Sequence, residues 1–189
     1  MSDFVKPFHL SPFEENINLR ANRNWDEHIS YTNNRNNGTT AFDAIRWSAY
    51  ACRVYNNTTI SVVNGSPQAL TFDSTSYDTY NMHSTSVDTS KVFARRSGIY
   101  VISGNIEYAN NTTGNRIALL QVDGGRFIAI SSTLALGGIY STTCNVSTQY
   151  YLNTNQYVEL VAIQTSGGSL NLLNNIDRSI VLTMTYAGE

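Results

Sequence analysis

At 189 residues the chain is long enough for one full domain plus an appendage. A formal net charge of −2 lacks the basic excess that phosphate-backbone binding requires, so nucleic acid is not an expected partner. Only 14% of residues are charged, Asn, Thr and Ser supply the polarity, and no stretch nears the ~18 apolar residues of a transmembrane helix, so no membrane insertion is expected.

The opening MSDFVKPFHLSPF has no long apolar run behind a basic stretch and does not read as a signal peptide. Synthesis in a cytosol, or export without a conventional signal, is the expectation. Residues 1–47 form a distinct, charge-bearing segment that includes Lys6, Glu14, Glu15, Arg20, Arg23, Asp26, Glu27 and Arg35. Pro7 and Pro12 favour an extended start. Ser11-Pro12-Phe13-Glu14 then has the character of a helix beginning, with Ser as cap, Pro at the first position and acids in the first turn. The pattern predicts a short helix over 12–30, with Ile17, Leu19, Trp25 and Ile29 as apolar contacts. Such a helix is too short to hold alone and needs a surface to pack on: its own domain, a sister copy or another protein. Asn33–Thr40 is a loop, and Ala41–Ala49 is either a second helical turn or the lead into the first strand.

From Ser48 onward the pattern is β. Ala49–Tyr55 alternates, Ile60–Val63 is short, and Gln68–Asp73 follows Pro67. Residues 74–90, rich in Ser, Thr and Asp, read as a long polar excursion anchored by Tyr77, Tyr80 and Met82. Gly98–Tyr108 is a long strand with Tyr100, Ile102, Ile106 and Tyr108 on one face and Ser103, Asn105 and Glu107 on the other. After a turn at Asn110–Asn115, Arg116–Val122 and Arg126–Ser131 pair as a hairpin across Asp123-Gly124-Gly125. Tyr140–Leu152 alternates, with Tyr140, Cys144, Val146, Tyr150 and Leu152 facing together. Tyr157–Thr165, Leu170–Leu173 and Ser179–Tyr186 complete the set. Short strands between polar turns fit an all-β, two-sheet antiparallel sandwich or jelly roll.

Chemistry is sparse. His9, His28 and His83 are scattered, and none pairs with Cys or His at metal spacing, so no metal and no cofactor is expected. Cys52 and Cys144 read as two buried free thiols, with a disulfide as the minor alternative. Asp73, Asp78 and Asp88 in the excursion and Asp123 in the hairpin read as turn formers, the other reading being a set of oxygens around calcium. Glu107 and Glu159 lie on separate strands, so no carboxylate pair for glycan cleavage is specified. Arg95-Arg96 read as a solvated turn. The Asn-x-Ser/Thr triplets at Asn37, Asn56, Asn57, Asn110, Asn111 and Asn145 read as a by-product of composition. No nucleophile elbow or phosphate loop is present, and a non-enzymatic protein is expected.

Several segments are shared, in order, with one known family. Phe72-Asp73, Phe93 and Gly98-Ile99-Tyr100 follow an early strand, a polar excursion and a turn into a long strand. TQYYLNTNQYVELVAIQ (148–164) and the ending SIVLTMTY extend the match. Over residues 48–189 the chain resembles the complement C1q globular-head and tumour necrosis factor (TNF) superfamily, and in wording its bacteriophage fibre, knob and head-decoration variants. The resemblance implies a TNF-like jelly roll that packs as a homotrimer, with Tyr100, Tyr108, Tyr140, Tyr150, Tyr151 and Tyr186 as interface candidates. It also implies that residues 1–47 attach to other virion proteins, with Phe13, Leu19, Trp25 and Ile29 as candidate contacts. The expected protein is an outward-facing virion knob, made in the host cytoplasm, that binds a host-surface glycan or protein. Loops 74–90, 110–115, 132–139 and 166–169 would be its contact surfaces. The alternative is a capsid or tail decoration protein that stabilises the particle without a host ligand.

Overall fold

The computed structural model describes residues 50–175 and 178–189, all within one compact unit that spans Arg46–Glu189. The helix expected over 12–30, the candidate contacts Phe13, Leu19, Trp25 and Ile29, His9, His28 and the proposed boundary at 47/48 lie outside the described residues.

Twelve strands follow in chain order: β1 (Ala51–Tyr55), β2 (Ile60–Val62), β3 (Gln68–Ala69), β4 (Ser74–Asp78), β5 (Val92–Phe93) and β6 (Gly98–Tyr108). The second half contributes β7 (Asn115–Val122), β8 (Arg126–Leu134), β9 (Thr142–Leu152), β10 (Tyr157–Gln164), β11 (Leu170–Leu172) and β12 (Val181–Gly188). Among the described residues there is no helix.

All ladders between these strands are antiparallel, in two sheets. The larger sheet has the order β2-β11-β6-β12-β1-β4, with β9 on the other flank of β6; the smaller has the order β3-β10-β7-β8, with β5 also on β10. β6 is the centre of the large sheet because its eleven residues pair with β9 along their whole length and with β12 along most of it. The small sheet ends at β8, whose ladder partner is β7 alone.

Period-two alternation explains which side chains meet between the sheets. Tyr100, Ile102, Ile106 and Tyr108 from β6 and Cys144, Val146 and Leu152 from β9 face Leu120 from β7 and Leu160 and Ala162 from β10. Gly104 interrupts the inward row for a packing reason: a Cβ there would stand 2.5 Å from Leu160 Cδ1, so glycine lets the opposite leucine reach the sheet. Burying a Leu or Ile side chain in such a layer contributes roughly 1.5–3 kcal/mol, and this interior sustains the fold.

Three expectations change. The polar stretch after Asp73 is not wholly a loop, because its first five residues form β4 and pair with β1. Backbone pairing at a sheet edge does not require apolar side chains, so Ser74, Thr75 and Ser76 give no alternating signal. Within the same excursion Met82 is fully buried and Tyr80 packs on the core, whereas Tyr77 stays exposed. Tyr140 lies ahead of β9 rather than on its inward face and is 67% exposed. Glu107 does occupy the outer face with Ser103 and Asn105, yet it is buried, because Ser141 and Arg178 close over it.

Candidate binding and assembly surfaces

The six tyrosines implicated in assembly separate into two groups. Tyr100, Tyr108 and Tyr186 are interior residues, at most 4% exposed, and are corrected from surface to core. Their even positions on β6 and β12 point them between the sheets, and each finds work there. The Tyr100 hydroxyl donates to the Arg96 carbonyl at 2.8 Å, and that of Tyr108 lies 2.6 Å from the Ile117 carbonyl on the opposite sheet. Tyr186 packs edge-on against Tyr100 with ring centres 5.4 Å apart. Burial raises the Tyr100 and Tyr108 hydroxyl pKa values above their ordinary range. Tyr150 is half-buried, and Tyr140 and Tyr151 remain exposed.

The exposed apolar surface lies mostly elsewhere. Phe127, Ile130 and Leu134 on β8, then Leu136, Ile139 and Tyr140 beyond it, are between 51% and 85% exposed. The first three lie on the edge strand of the small sheet and the other three in the connection that follows it. A second, smaller patch consists of Ile99 and Val101 on the outer face of β6, with Tyr151 paired to Ile99 across the ladder. Below this patch the same face turns polar, where Ser103 is flanked by Ser147 and Thr183, and Asn105 by Asn145. Ser103 and Thr183 hydroxyls meet at 2.6 Å. Composition gave no sign of the edge band. The β7 partners of Phe127, Ile130 and Leu134 are Gln121, Leu119 and Asn115, none of which belongs to the core cluster.

The acidic residues are engaged in building the fold. Asp78 collects the backbone N–H groups of Met82 at 2.8 Å and His83 at 2.9 Å, which folds the chain after β4. Asp73 accepts from the Asn57 N–H, and Asp88, in the left-handed region at φ 52°, pairs with Lys91 at 2.7 Å. Glu159 accepts from Ser90 and Gln121, while Glu107 accepts from Ser141 and Arg178. The two glutamates belong to different sheets. Among the described residues no three His, Cys, Asp or Glu side chains gather as a metal site would need. His83 is held by the carbonyls of Lys91 and Phe72 through its two ring nitrogens.

Both cysteines are buried free thiols. Burial pushes the Cys52 thiol up to about 12, with the Asp78 charge adding to it, and the Cys144 thiol up to about 11. Protonated thiols in a dry interior are poor nucleophiles. Arg95 donates to the Asn81 carbonyl, and Arg96 is more than a solvated turn residue: it pairs with Glu189 at 2.6 Å and lies over the Tyr186 ring. Arg116 is a fully buried cation without an acid partner among the described residues. Its guanidinium is surrounded by the carbonyls of Asn111, Thr113 and Asn115 and sits over the Tyr108 ring, and desolvation lowers its pKa.

A cleft of about 340 Å3 opens between the turn that joins β7 to β8 and the turn that joins β9 to β10. Val122, Asp123, Arg126, Tyr150, Tyr151 and Gln156 are among its walls. Asp123 takes φ 51° and Gly124 φ 71°, the twisted two-residue geometry that a tight hairpin demands. The Asp123 carboxylate then reaches across to the neighbouring turn, accepting from Gln156 Nε2 at 2.7 Å and the Tyr157 N–H at 3.1 Å.

No protein-family model and no curated protein matches this sequence. Solved structures do match. The chain is similar to a TNF structure, Eiger of S. frugiperda, with 12% identity, TM-score 0.55 and coverage of 74% of this chain and 92% of that one. Murine APRIL at pH 5.0 aligns at 9% identity with TM-score 0.57, covering 72% and 98%. The globular domain of zebrafish complement 1qA aligns at 13% identity with TM-score 0.51, covering 71% and 94%. The fold is a TNF-like jelly roll. At these identities the likeness establishes the architecture, and the jelly roll's role must be argued from its own surfaces.

Proposed function

We propose that this chain is a bacteriophage virion structural protein whose jelly roll assembles as a homotrimeric, outward-facing knob that binds the host cell surface without turnover. The observation that carries the assembly is the pairing of two apolar surfaces on one copy. Ile130 and Leu134 lie on the edge strand of the small sheet and Leu136, Ile139 and Tyr140 in the connection that follows it, and the Ile99–Val101 patch lies on the outer face of the large sheet. Large apolar side chains left exposed in such number are what an interaction surface offers. The edge of one copy seats on the face of the next, a head-to-tail contact that closes after three copies. Three equal faces then turn weak single contacts into useful avidity for a repetitive cell surface. The virion assignment is supported by the wording of segments 68–108 and 148–164, and by a charged segment ahead of the jelly roll that is suited to attachment.

Analytical ultracentrifugation of the full chain tests the assembly: a trimer is expected, and a stably folded monomer at micromolar concentration defeats it. Deletion from the particle tests the role. Intact particles that fail to adsorb to host cells are the expected result. Fragile particles with normal adsorption would instead establish a decoration protein.

A further inference from the structure

We infer that the cleft between the β7–β8 and β9–β10 turns is a binding site for a carboxylate-bearing sugar unit. Its frame is fixed before any ligand arrives. Asp123 is locked by Gln156 and the Tyr157 N–H, and Gln156 in turn accepts the Asn153 N–H at 2.8 Å, so the two turns are stitched together. On this frame stands Arg126, an exposed cation whose Nη1 donates to the Tyr150 hydroxyl at 3.0 Å. That hydrogen bond is also the main reason its pKa is raised. Arg126 makes no ion pair among the described residues, in contrast to Lys91, Arg96 and Arg178. A guanidinium carries five N–H donors, and a neutral phenol oxygen uses one. The remaining fork suits a planar carboxylate.

The other walls supply what a pyranose ring needs. Tyr150, whose hydroxyl holds the Arg126 guanidinium in place, lines the cleft beside it. The Asp123 oxygens keep lone pairs for ring hydroxyls, and Asn153 adds an amide. A volume near 340 Å3 falls at the small end of ligand sites, the range of one or two sugar units. A neutral sugar would leave the Arg126 fork to water, and a bare carboxylate would leave Asp123 and Asn153 unused. The combination selects an acidic sugar. This inference draws on the surface-binding role proposed above only for its biological use.

Titration of the full-length protein with D-glucuronate, D-glucose and acetate, followed by saturation-transfer NMR, tests it. Glucuronate is expected to bind with a millimolar Kd, at least about tenfold more tightly than glucose or acetate. Arg126→Ala is expected to lose about tenfold or more in affinity. Tyr150→Phe, which removes the hydroxyl that holds the guanidinium, should weaken binding, with an unchanged melting temperature showing that the fold persists. Absence of glucuronate binding, equal binding of acetate, or an Arg126→Ala variant that binds normally overturns the inference. A chain that trimerises and adsorbs to cells yet ignores glucuronate overturns this site alone. A chain that binds glucuronate through Arg126 yet never adsorbs overturns the knob and keeps the site.

Discussion

β6 and β8 are both strands with alternating apolar residues, and they end in opposite surroundings. β6 has a ladder partner on each side and hides Tyr100, Ile102, Ile106 and Tyr108 completely. β8 has one partner and leaves Phe127, Ile130 and Leu134 more than half exposed. The difference is one of position in the sheet rather than of residue type. A period-two pattern announces that a strand has an apolar face; whether water, a second sheet or another molecule meets that face depends on which strands lie beside it.

Removing a β6-facing side chain should cost most. Leu160→Ala, opposite Gly104, is expected to lose about 2–5 kcal/mol of stability in urea denaturation. A loss as small as that of an exposed residue would erase the distinction between the two strands. Arg116→Met comes next. It leaves the carbonyls of Asn111 and Thr113 without their donors, and about 1–3 kcal/mol should disappear from the same measurement.

Alkaline pH sharpens the comparison from the β6 side, because Cys52 and Cys144 lie in the same interior. Their folded pKa values, about 12 and about 11, stand above the ordinary 9.0 that they regain on unfolding. Above pH 9 the unfolded chain releases these protons while the folded chain keeps them. The contribution of these thiols should be level below that point and should be lost between pH 9 and about 12. A Cys52→Ala/Cys144→Ala double variant should reduce the slope, leaving the part above pH 10 that comes from buried Tyr100 and Tyr108, and in the unaltered chain Ellman's reagent should find both thiols only after denaturant is added. A native protein whose thiols react at once would show that the interior is open.

The smallest expected effect on the folded subunit belongs to β8. Ile130→Asp and Leu134→Asp should change single-subunit stability by no more than about 0.5 kcal/mol, since both side chains already face water. The same variants should shift sedimentation from trimer to monomer. A trimer that survives both charges would remove β8 from the contact.

Much of the sandwich was readable from the sequence, because Gly98–Tyr108 and the 116–131 hairpin carry their register in alternation and in Asp123-Gly124. β4 was hidden, since an edge strand of Ser, Thr and Tyr pairs through its backbone and leaves no apolar trace. The tyrosines were harder still. Tyr100 and Tyr151 share a chemistry, and only parity on paired strands sends one inward and the other out. The cleft could not be foreseen, because Asp123 and Gln156 are brought together by two turns that lie far apart in sequence. Of the exposed band, Tyr140 and the 132–139 stretch were expected at a contact surface, whereas Phe127 and Ile130 were not, because either residue would also have suited a core.

The Arg116 cage bears on the order of events as the chain folds. Among the described residues, every oxygen that accepts from that guanidinium comes from within five positions along the chain. Closing so short a loop costs little entropy, whereas dragging a bare cation into a dry interior is prohibitive. The 111–116 turn therefore has to be shaped before the two sheets seal over it, which makes this corner an early checkpoint and sheet closure the later step.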